Sequence, residues 1–360
     1  MRTPALQSVF LPLLLLTPPS LAALPYRGVD WSSTALEELT GKTTYQTPSG
    51  VAQPLEAILK SSGITTVRQR LWNNPTADAG AYNLTYNLAL AARAKAAGLD
   101  VYVDFHYSDT WADPAHQTTP AAWARLGIDE LADAVYRYTK ESLDAFAEAG
   151  IAPTIVEIGN EIRQGMLWPL GRNNFNNFGN LARLLHSASA GVKDSAVVPT
   201  PKIMLHLDNA WDWATQKWWY DGLFAVGGFD QREDFDIIGL SHYPFYSPDA
   251  TFVNLRSSLA NLKRAYGKET MIVETDWPSS CPRPAHVFPS DVRSIPFSVE
   301  GQQTWVKQVA AACEDEGCTG LFYWEPAWIG NAGLGSSCEW NLMVEQSGKA
   351  MSSLDVFNEI

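Results

Sequence analysis

Two glutamates in matching settings are the residues of this sequence best suited to chemistry. Thr154 to Glu161 reads T-I-V-E-I-G-N-E, and Met271 to Trp277 reads M-I-V-E-T-D-W. Each is an apolar run of strand character that leads into a carboxylate, Glu161 in the first and Glu274 in the second. A strand end is a rigid mount for an acid or a base. Two such carboxyl groups in one cleft could cleave a glycosidic bond. One stays protonated and hands its proton to the leaving oxygen; the other is ionised and attacks the sugar or activates water. An arginine beside one glutamate would favour its ionised form, while burial and a like charge would keep the other protonated. Taken singly, either glutamate could be a helix-cap neighbour or a surface charge. The pairing is what points to catalysis. Glu157 shares strand parity with Glu161 but sits deeper, and is expected to be a structural partner of Arg68 or another inward polar group.

The elements that must position this pair recur along the chain. Strand candidates are Tyr26–Asp30, Thr65–Arg70, Asp100–Phe105, Thr154–Gly159, Lys202–Leu207, Phe235–Ser241, Thr270–Thr275 and Gly320–Trp324. Helical patterns fall between them at Pro54–Ser62, Tyr86–Ala97, Asp129–Ala149, Phe178–Gly191, Thr215–Phe224, Phe252–Tyr266 and Val299–Glu314, with a last one from Lys349 onward. Gly63, Gly98, Gly150 and Gly267 each follow a helical run and precede a strand, as helix-stopping glycines do. Alternating strands and helices imply an α/β fold with a parallel sheet. Eight units predict a single-domain (β/α)8 TIM barrel over residues 23–360, with a doubly wound open sheet as the alternative. The barrel is favoured because unusual polar residues follow nearly every strand.

Active sites of such barrels lie at the C-terminal strand ends. Reading only those ends collects Asp30, Arg70 and Trp72, then Asp104, His106 and Trp111, then Asn160 and Glu161. His206 and Asp208 follow, then Ser241, His242 and Tyr243, then Glu274 and Trp277, then Trp324 and Glu325. The fourth and seventh strands face each other across the mouth. His106, His206 and His242 with Asp104 and Asp208 invite a metal reading, but no paired-histidine ligand spacing accompanies them, so no metal is expected. Among them His106 is the best candidate to touch a sugar, with Asp104 beside it as a further substrate-facing group.

The formal net charge is −13, and the 11% aromatic content includes 14 Trp and 13 Tyr. Such acidity excludes nucleic acid and other phosphate backbones as partners and fits a neutral ligand. Indole and phenol rings can form cores or stack on sugars. Residues 1–22 carry Arg2, a leucine-rich run and small residues at a Ser20-Leu21-Ala22 site, the pattern of a secretory signal peptide cleaved after Ala22. No membrane anchor is expected, because that run is too short to span a bilayer. A secreted, extracellular chain makes disulfides the reading for Cys281, Cys313, Cys318 and Cys338. Three pairings are possible. Cys281–Cys338 with Cys313–Cys318 is expected, since the first ties two late loops and the second closes a tight turn. Asn83-Leu84-Thr85 is a glycosylation acceptor motif.

The motifs V-E-I-G-N-E, V-E-T-D-W-P, V-R-Q-R-L-W, D-F-H-Y-S-D-T-W-A-D-P and F-Y-W-E-P-A-W, in that set, resemble glycoside hydrolase family 53, the fungal arabinogalactan endo-β-1,4-galactanases. The mature start, Y-R-G-V-D-W-S-S, is similar too, so the resemblance covers essentially the whole mature chain. It implies retaining double displacement on β-1,4-galactan, the side chain of pectic type I arabinogalactan, by a monomer without cofactor. By position Glu161 matches the acid/base and Glu274 the nucleophile. Asn160 matches the amide that holds the sugar 2-hydroxyl. Arg70 and Tyr243 match groups that orient the nucleophile, and Trp324 matches the floor of the site. Trp72, Trp111, Trp277 and Trp328 are expected platforms. Bacterial members carry calcium in the late loops, but here Asp276–Ser298 holds five prolines and no dense carboxylate cluster, so no calcium is expected. A related barrel acting on mannan or glucan, and a galactan-binding lectin without turnover, are the alternatives.

Overall fold

The computed structural model describes residues 23–40, 44–77, 80–174 and 177–360. The expected signal peptide, residues 1–22, lies outside them. Eight parallel strands close into a barrel in chain order. They are β1 (Tyr26–Asp30), β2 (Thr66–Leu71), β3 (Asp100–Phe105), β4 (Ile155–Ile158), β5 (Lys202–Leu207), β6 (Ile237–Ser241), β7 (Glu269–Glu274) and β8 (Gly320–Tyr323). β1 pairs with both β2 and β8, which closes the ring and removes the open-sheet alternative. Strands buried on both faces favour apolar residues, as in β4, β6 and β8, whereas β2 is buried throughout although it carries Arg68, Gln69 and Arg70.

The outer ring is built from α1 (Thr34–Leu39), α2 (Leu55–Ser61), α3 (Leu84–Ala96), α4 (Ile128–Glu148), α5 (Gly179–Lys193), α6 (Trp213–Ala225), α7 (Phe252–Tyr266) and α8 (Val299–Glu316). The short α1 has no counterpart in the sequence reading. The last segment is a 3-10 helix, Ser352–Asn358, and not the expected α-helix. It is stitched to α8 by side chains: Ser353 Oγ donates to Gln302 Oε1 at 2.7 Å, and Gln303 Nε2 donates to Ser352 O at 2.9 Å.

One helix-stopping motif repeats before the strands. Ile64, Leu99, Ile151 and Cys318 each donate a backbone N–H back to the carbonyl five residues earlier, on Leu59, Ala94, Phe146 and Cys313. The intervening glycine takes a left-handed φ, +69° at Gly150 and +73° at Gly317. This pattern brings the two flanking side chains into contact and turns the chain back toward the sheet. In the first three cases the contact is made by apolar residues. In the fourth it is made by Cys313 and Cys318, which are buried free thiols and not the expected second disulfide. The Thr270 hydroxyl donates to Cys318 Sγ at 3.2 Å, so the pair is accommodated as packed thiols. Cys281 and Cys338 do form a disulfide, tying the loop after β7 to the loop after β8.

Inside the barrel the side chains are layered. Tyr102, Ile155, Met204, Ile237, Met271, Val273 and Phe322 form an apolar plug near the bottom. Strand side chains alternate, so the residue two positions further points to the same face, one layer higher. Above Tyr102 that residue is Asp104; above Ile155 it is Glu157; above Met204 it is His206. A charged layer therefore sits directly on the apolar one.

Candidate active site

Arg68 is the centre of the charged layer. Its Nη1 donates to Glu274 Oε1 at 2.7 Å and to Asp30 Oδ2 at 3.1 Å. Its Nη2 donates to Asp104 Oδ2 at 3.0 Å and to Asn160 Oδ1 at 2.8 Å, and its Nε to Glu157 Oε2 at 3.2 Å. Arg68 is 1% exposed, so one buried guanidinium serves four carboxyl groups. Burial works against the charge on Glu157, but Arg68 and His206 hold that carboxyl below its ordinary range. Asp104 goes the other way: burial, reinforced by the nearby Glu157, raises it well above a usual aspartate despite Arg68. Removing one member of such a network leaves the others buried and unbalanced. Arg68→Met is therefore expected to lower the unfolding free energy in urea by roughly 3–5 kcal/mol. A loss under about 1 kcal/mol would show that the neighbouring carboxyls already carry enough protons to do without it.

Glu274 reaches this layer through a local irregularity. Along β6 and β7, Leu240 pairs with Ile272, but the next residue, Ser241, pairs with Glu274. The extra residue, Val273, belongs to the inner plug. The bulge thus lets two consecutive residues of β7 face inward and aims Glu274 at the cleft, as bulges beside active sites do. The Tyr243 hydroxyl donates to Glu274 Oε2 at 2.9 Å, so both carboxylate oxygens carry a donor.

Glu161 arrives differently. Gly159 has φ +117° and Glu161 itself has φ +48°, so the chain coils sharply out of β4. A Cβ on Gly159 would stand 2.8 Å from Ile162 Cγ2, so only glycine fits that turn. Tyr107, Asn209 and Glu325 show the same left-handed φ just past β3, β5 and β8. Such outliers gather where a rim must hold side chains in fixed directions. Burial, then the facing Glu274, then Asp208 raise the Glu161 carboxyl well above its ordinary value. Ser241 Oγ lies 2.7 Å from Glu161 Oε1 and 3.5 Å from Glu274 Oε2. One oxygen of each glutamate lies within 4.8 Å of the other and of a ring nitrogen of His206. His206 is a poor metal ligand, since its Nδ1 faces Glu157 Oε1 at 2.8 Å and its Nε2 faces Ser241 Oγ at 2.8 Å.

The two glutamates open on a cleft of about 380 Å³. Its walls include Asp30, Arg68, Arg70, Asp104, His106, Trp111, Asn160, Asp208, Tyr243, Tyr246 and Trp324. Asn160 is fixed by accepting from Arg68 and by donating Nδ2 to Ala112 O at 2.8 Å. His106 accepts at Nδ1 from the Trp72 indole N–H at 3.1 Å and from Ala112 N at 3.2 Å, so its Nε2–H faces Asp104 Oδ2 at 2.9 Å. Burial, helped by Arg70 and Arg68, pushes the His106 pKa down to about 3, which keeps the ring neutral.

Residues 26–357 match the family model described as Glycosyl hydrolase family 53. The chain belongs to this family. An arabinogalactan endo-beta-1,4-galactanase of Thermothelomyces thermophilus is 58% identical over 340 residues, covering 94% of this chain and 100% of the relative. A solved fungal beta-1,4-galactanase structure superposes with a TM-score of 0.91 at 57% identity, over 94% of this chain and 100% of that one. The glycosyl hydrolase 53 catalytic domain of Ignisphaera aggregans is more distant, at 33% identity and a TM-score of 0.81, over 96% and 99% of the two chains.

For this family 53 chain the geometry corrects several expected positions. Arg70 lines the cleft but does not orient Glu274; Arg68 does. Arg70 lies one layer nearer the rim, where its Nη1 is 2.6 Å from Glu325 Oε1 and its Nη2 donates to Ser33 Oγ at 2.7 Å. Trp277 does not reach the cleft. It is wholly buried, stacks on Trp305 with centroids 5.2 Å apart, and donates its indole N–H to Pro296 O at 2.9 Å. The proline-rich loop after β7 thus covers Trp277 as a core residue. Trp72 is also buried, and acts by holding His106. Trp328 stacks behind Trp111, with centroids 5.8 Å apart and planes at 20°, while Trp111 and Trp324 face the cleft. The Arg70 guanidinium lies 4.5 Å from the Trp111 ring centroid and helps fix that ring. The sequence reading collected His206 and Ser241 at the strand ends without giving them a part in the site, and it placed Arg68 only as a structural partner of Glu157. Counting strand parity upward from the inner plug would have flagged Arg68 and His206.

Proposed function

We propose that this chain is a secreted, endo-acting hydrolase that cuts β-1,4-galactosidic bonds of type I arabinogalactan with retention of configuration. The observation that carries the proposal is the pair Glu161 and Glu274, close enough to work on one anomeric carbon, with Glu274 accepting from Arg68 and Tyr243 and the Glu161 carboxyl raised by burial. Retaining enzymes place their carboxyls about 5–5.5 Å apart, against about 6.5–9.5 Å for inverting ones. In the first step the Glu161 proton passes to the leaving glycosidic oxygen while Glu274 attacks C1. The C1–O bond to the leaving sugar breaks and an ester to Glu274 forms. In the second step ionised Glu161 takes a proton from water, whose oxygen bonds C1 as the ester breaks.

Around that pair, Asn160 is placed to hold the 2-hydroxyl, since one of its two amide hydrogens is not engaged by Ala112. Asp104 acts through His106, whose ring edge lines the cleft, while Trp324 and Trp111 offer aromatic faces for the apolar face of galactose. The single chain supplies the whole constellation, which supports action as a monomer. The Cys281–Cys338 disulfide and the leader pattern of residues 1–22 support secretion, with residues 23–360 as the mature catalytic domain. Asn83 caps α3 by accepting from Tyr86 N through Oδ1, which leaves Nδ2 as the atom for a glycan.

Digestion of linear β-1,4-galactan, beside mannan and cellulose, tests this reading. Reducing ends from galactan alone, with the β-anomer first in the NMR time course, are expected. First release of the α-anomer, or galactan binding without new reducing ends, would overturn it.

A further inference from the structure

The contacts of Ser241 have no part in the two steps as written above, yet they join both glutamates. We propose that Ser241 is a two-way positioning hydroxyl, locked by His206 and turned toward whichever of Glu161 and Glu274 carries the negative charge at each stage. The inference rests on the retaining reading above and concerns how that cycle is timed.

His206 is fully buried. Its Nδ1 meets two acceptors, Glu157 Oε1 at 2.8 Å and Asn160 Oδ1 at 3.0 Å, so Nδ1 carries a proton. Burial disfavours a charged ring, but the adjacent Glu157 carboxylate outweighs it and raises His206 above an ordinary histidine. Nε2 meets Ser241 Oγ at 2.8 Å, and the proposal assigns Nε2–H as the donor in that contact. A serine hydroxyl has one proton and two lone pairs. His206 occupies one lone pair. The other lone pair and the single proton then face Glu161 at 2.7 Å and Glu274 at 3.5 Å.

These directions match the charges of a double displacement. In the free enzyme Glu161 is the acid and Glu274 the anion, so the Glu161 O–H points to the Ser241 lone pair and the Ser241 proton points to Glu274. In the ester intermediate Glu274 has no charge and Glu161 is a carboxylate, so the Ser241 proton turns to Glu161 at the shorter distance. No proton is gained or lost by Ser241 in either state. Its hydroxyl reorients, and it steadies Glu161 when that residue must act as a base.

Other groups also face Glu161. They are Glu274 from β7, Asp208 after β5, Asp113 after β3, Tyr243 and Tyr246 after β6, Arg163 in the following turn, and His206 itself. Among the described residues Ser241 alone is in hydrogen-bond contact with the Glu161 carboxyl, so its loss should be read directly in that group's titration.

Ser241→Ala is expected to move the alkaline limb of kcat/KM on linear galactan upward by about one pH unit, because a donor to the charged form is lost. At neutral pH kcat should fall more than kcat/KM, and the ester intermediate should accumulate, visible as a burst with a dinitrophenyl galactoside. Ser241→Thr keeps the hydroxyl and should restore the limb. Ser241→Cys, a weaker donor, should give an intermediate shift, and it covers the case in which the alanine variant does not fold. A purely structural role would lower turnover with the limb unmoved. An unmoved limb in every variant that folds and turns over galactan overturns the proposal while leaving galactanase activity standing. Failure of the wild type to cut galactan overturns both.

Discussion

Glu274→Ala is expected to lower kcat on linear galactan by about 10⁴- to 10⁶-fold, the scale seen when a nucleophile is removed from an otherwise intact site. The loss should extend to aryl galactosides with good leaving groups, since without Glu274 no ester can form. The variant should still fold. Arg68 keeps Asp30, Asp104 and Glu157 as partners, and the truncated side chain leaves space on the cleft side and not in the inner plug. Azide should enter that space and attack C1 from the face Glu274 would have used. The product would then be an α-galactosyl azide, and its configuration can be read by NMR. Full activity in the variant, or a β-configured azide product, would remove Glu274 from the nucleophile role.

Glu161→Ala should cost about 10²- to 10⁴-fold on galactan, the usual worth of a positioned general acid. The loss should depend on the leaving group. A sugar hydroxyl leaves poorly without a proton, whereas a dinitrophenolate needs none, so the first step on an activated aryl galactoside should survive in part. The pH profile supplies a second readout. Glu161 is held well above the ordinary carboxyl range by burial and by Glu274, so it stays protonated in weak acid. Wild-type kcat/KM on galactan should therefore fall as pH rises through the Glu161 value. In Glu161→Ala that alkaline limb should be absent. If the limb persists there, some other group is the acid.

Much of the architecture was legible because strand burial and helix stops leave local marks. The apolar runs over Tyr26–Asp30, Asp100–Phe105 and Lys202–Leu207 coincide with strands to the residue, and Phe252–Tyr266 does so for a helix. Aromatic roles were much less legible. Trp277 and Trp111 both follow strands in motif-rich loops, yet one is a core residue under a proline-rich loop and the other lines the cleft. Indole is apolar enough for the first place and flat enough for the second, so residue type cannot choose between them. The cysteines divided in the same way. A loop-to-loop link between Cys281 and Cys338 follows from which loops meet at the barrel mouth, while Cys313 and Cys318 are neighbours through a helix-stopping turn that packs side chains without bonding them.

The sequence by itself determined that two glutamates would sit on opposite strands of an eight-stranded barrel, because strand spacing and closure place the fourth and seventh ends across one mouth. Only the tertiary structure decided how those glutamates are held. The bulge between β6 and β7 turns Glu274 inward against simple alternation, and its cause is a register shift between two strands that no single strand records. The choice of Arg68 over Arg70 as its partner depends on height inside the barrel, since both arginines share one face and differ by a single layer. Ser241 and His206 were visible as strand-end residues, but their joint contact with both glutamates comes from β5, β6 and β7 converging in three dimensions.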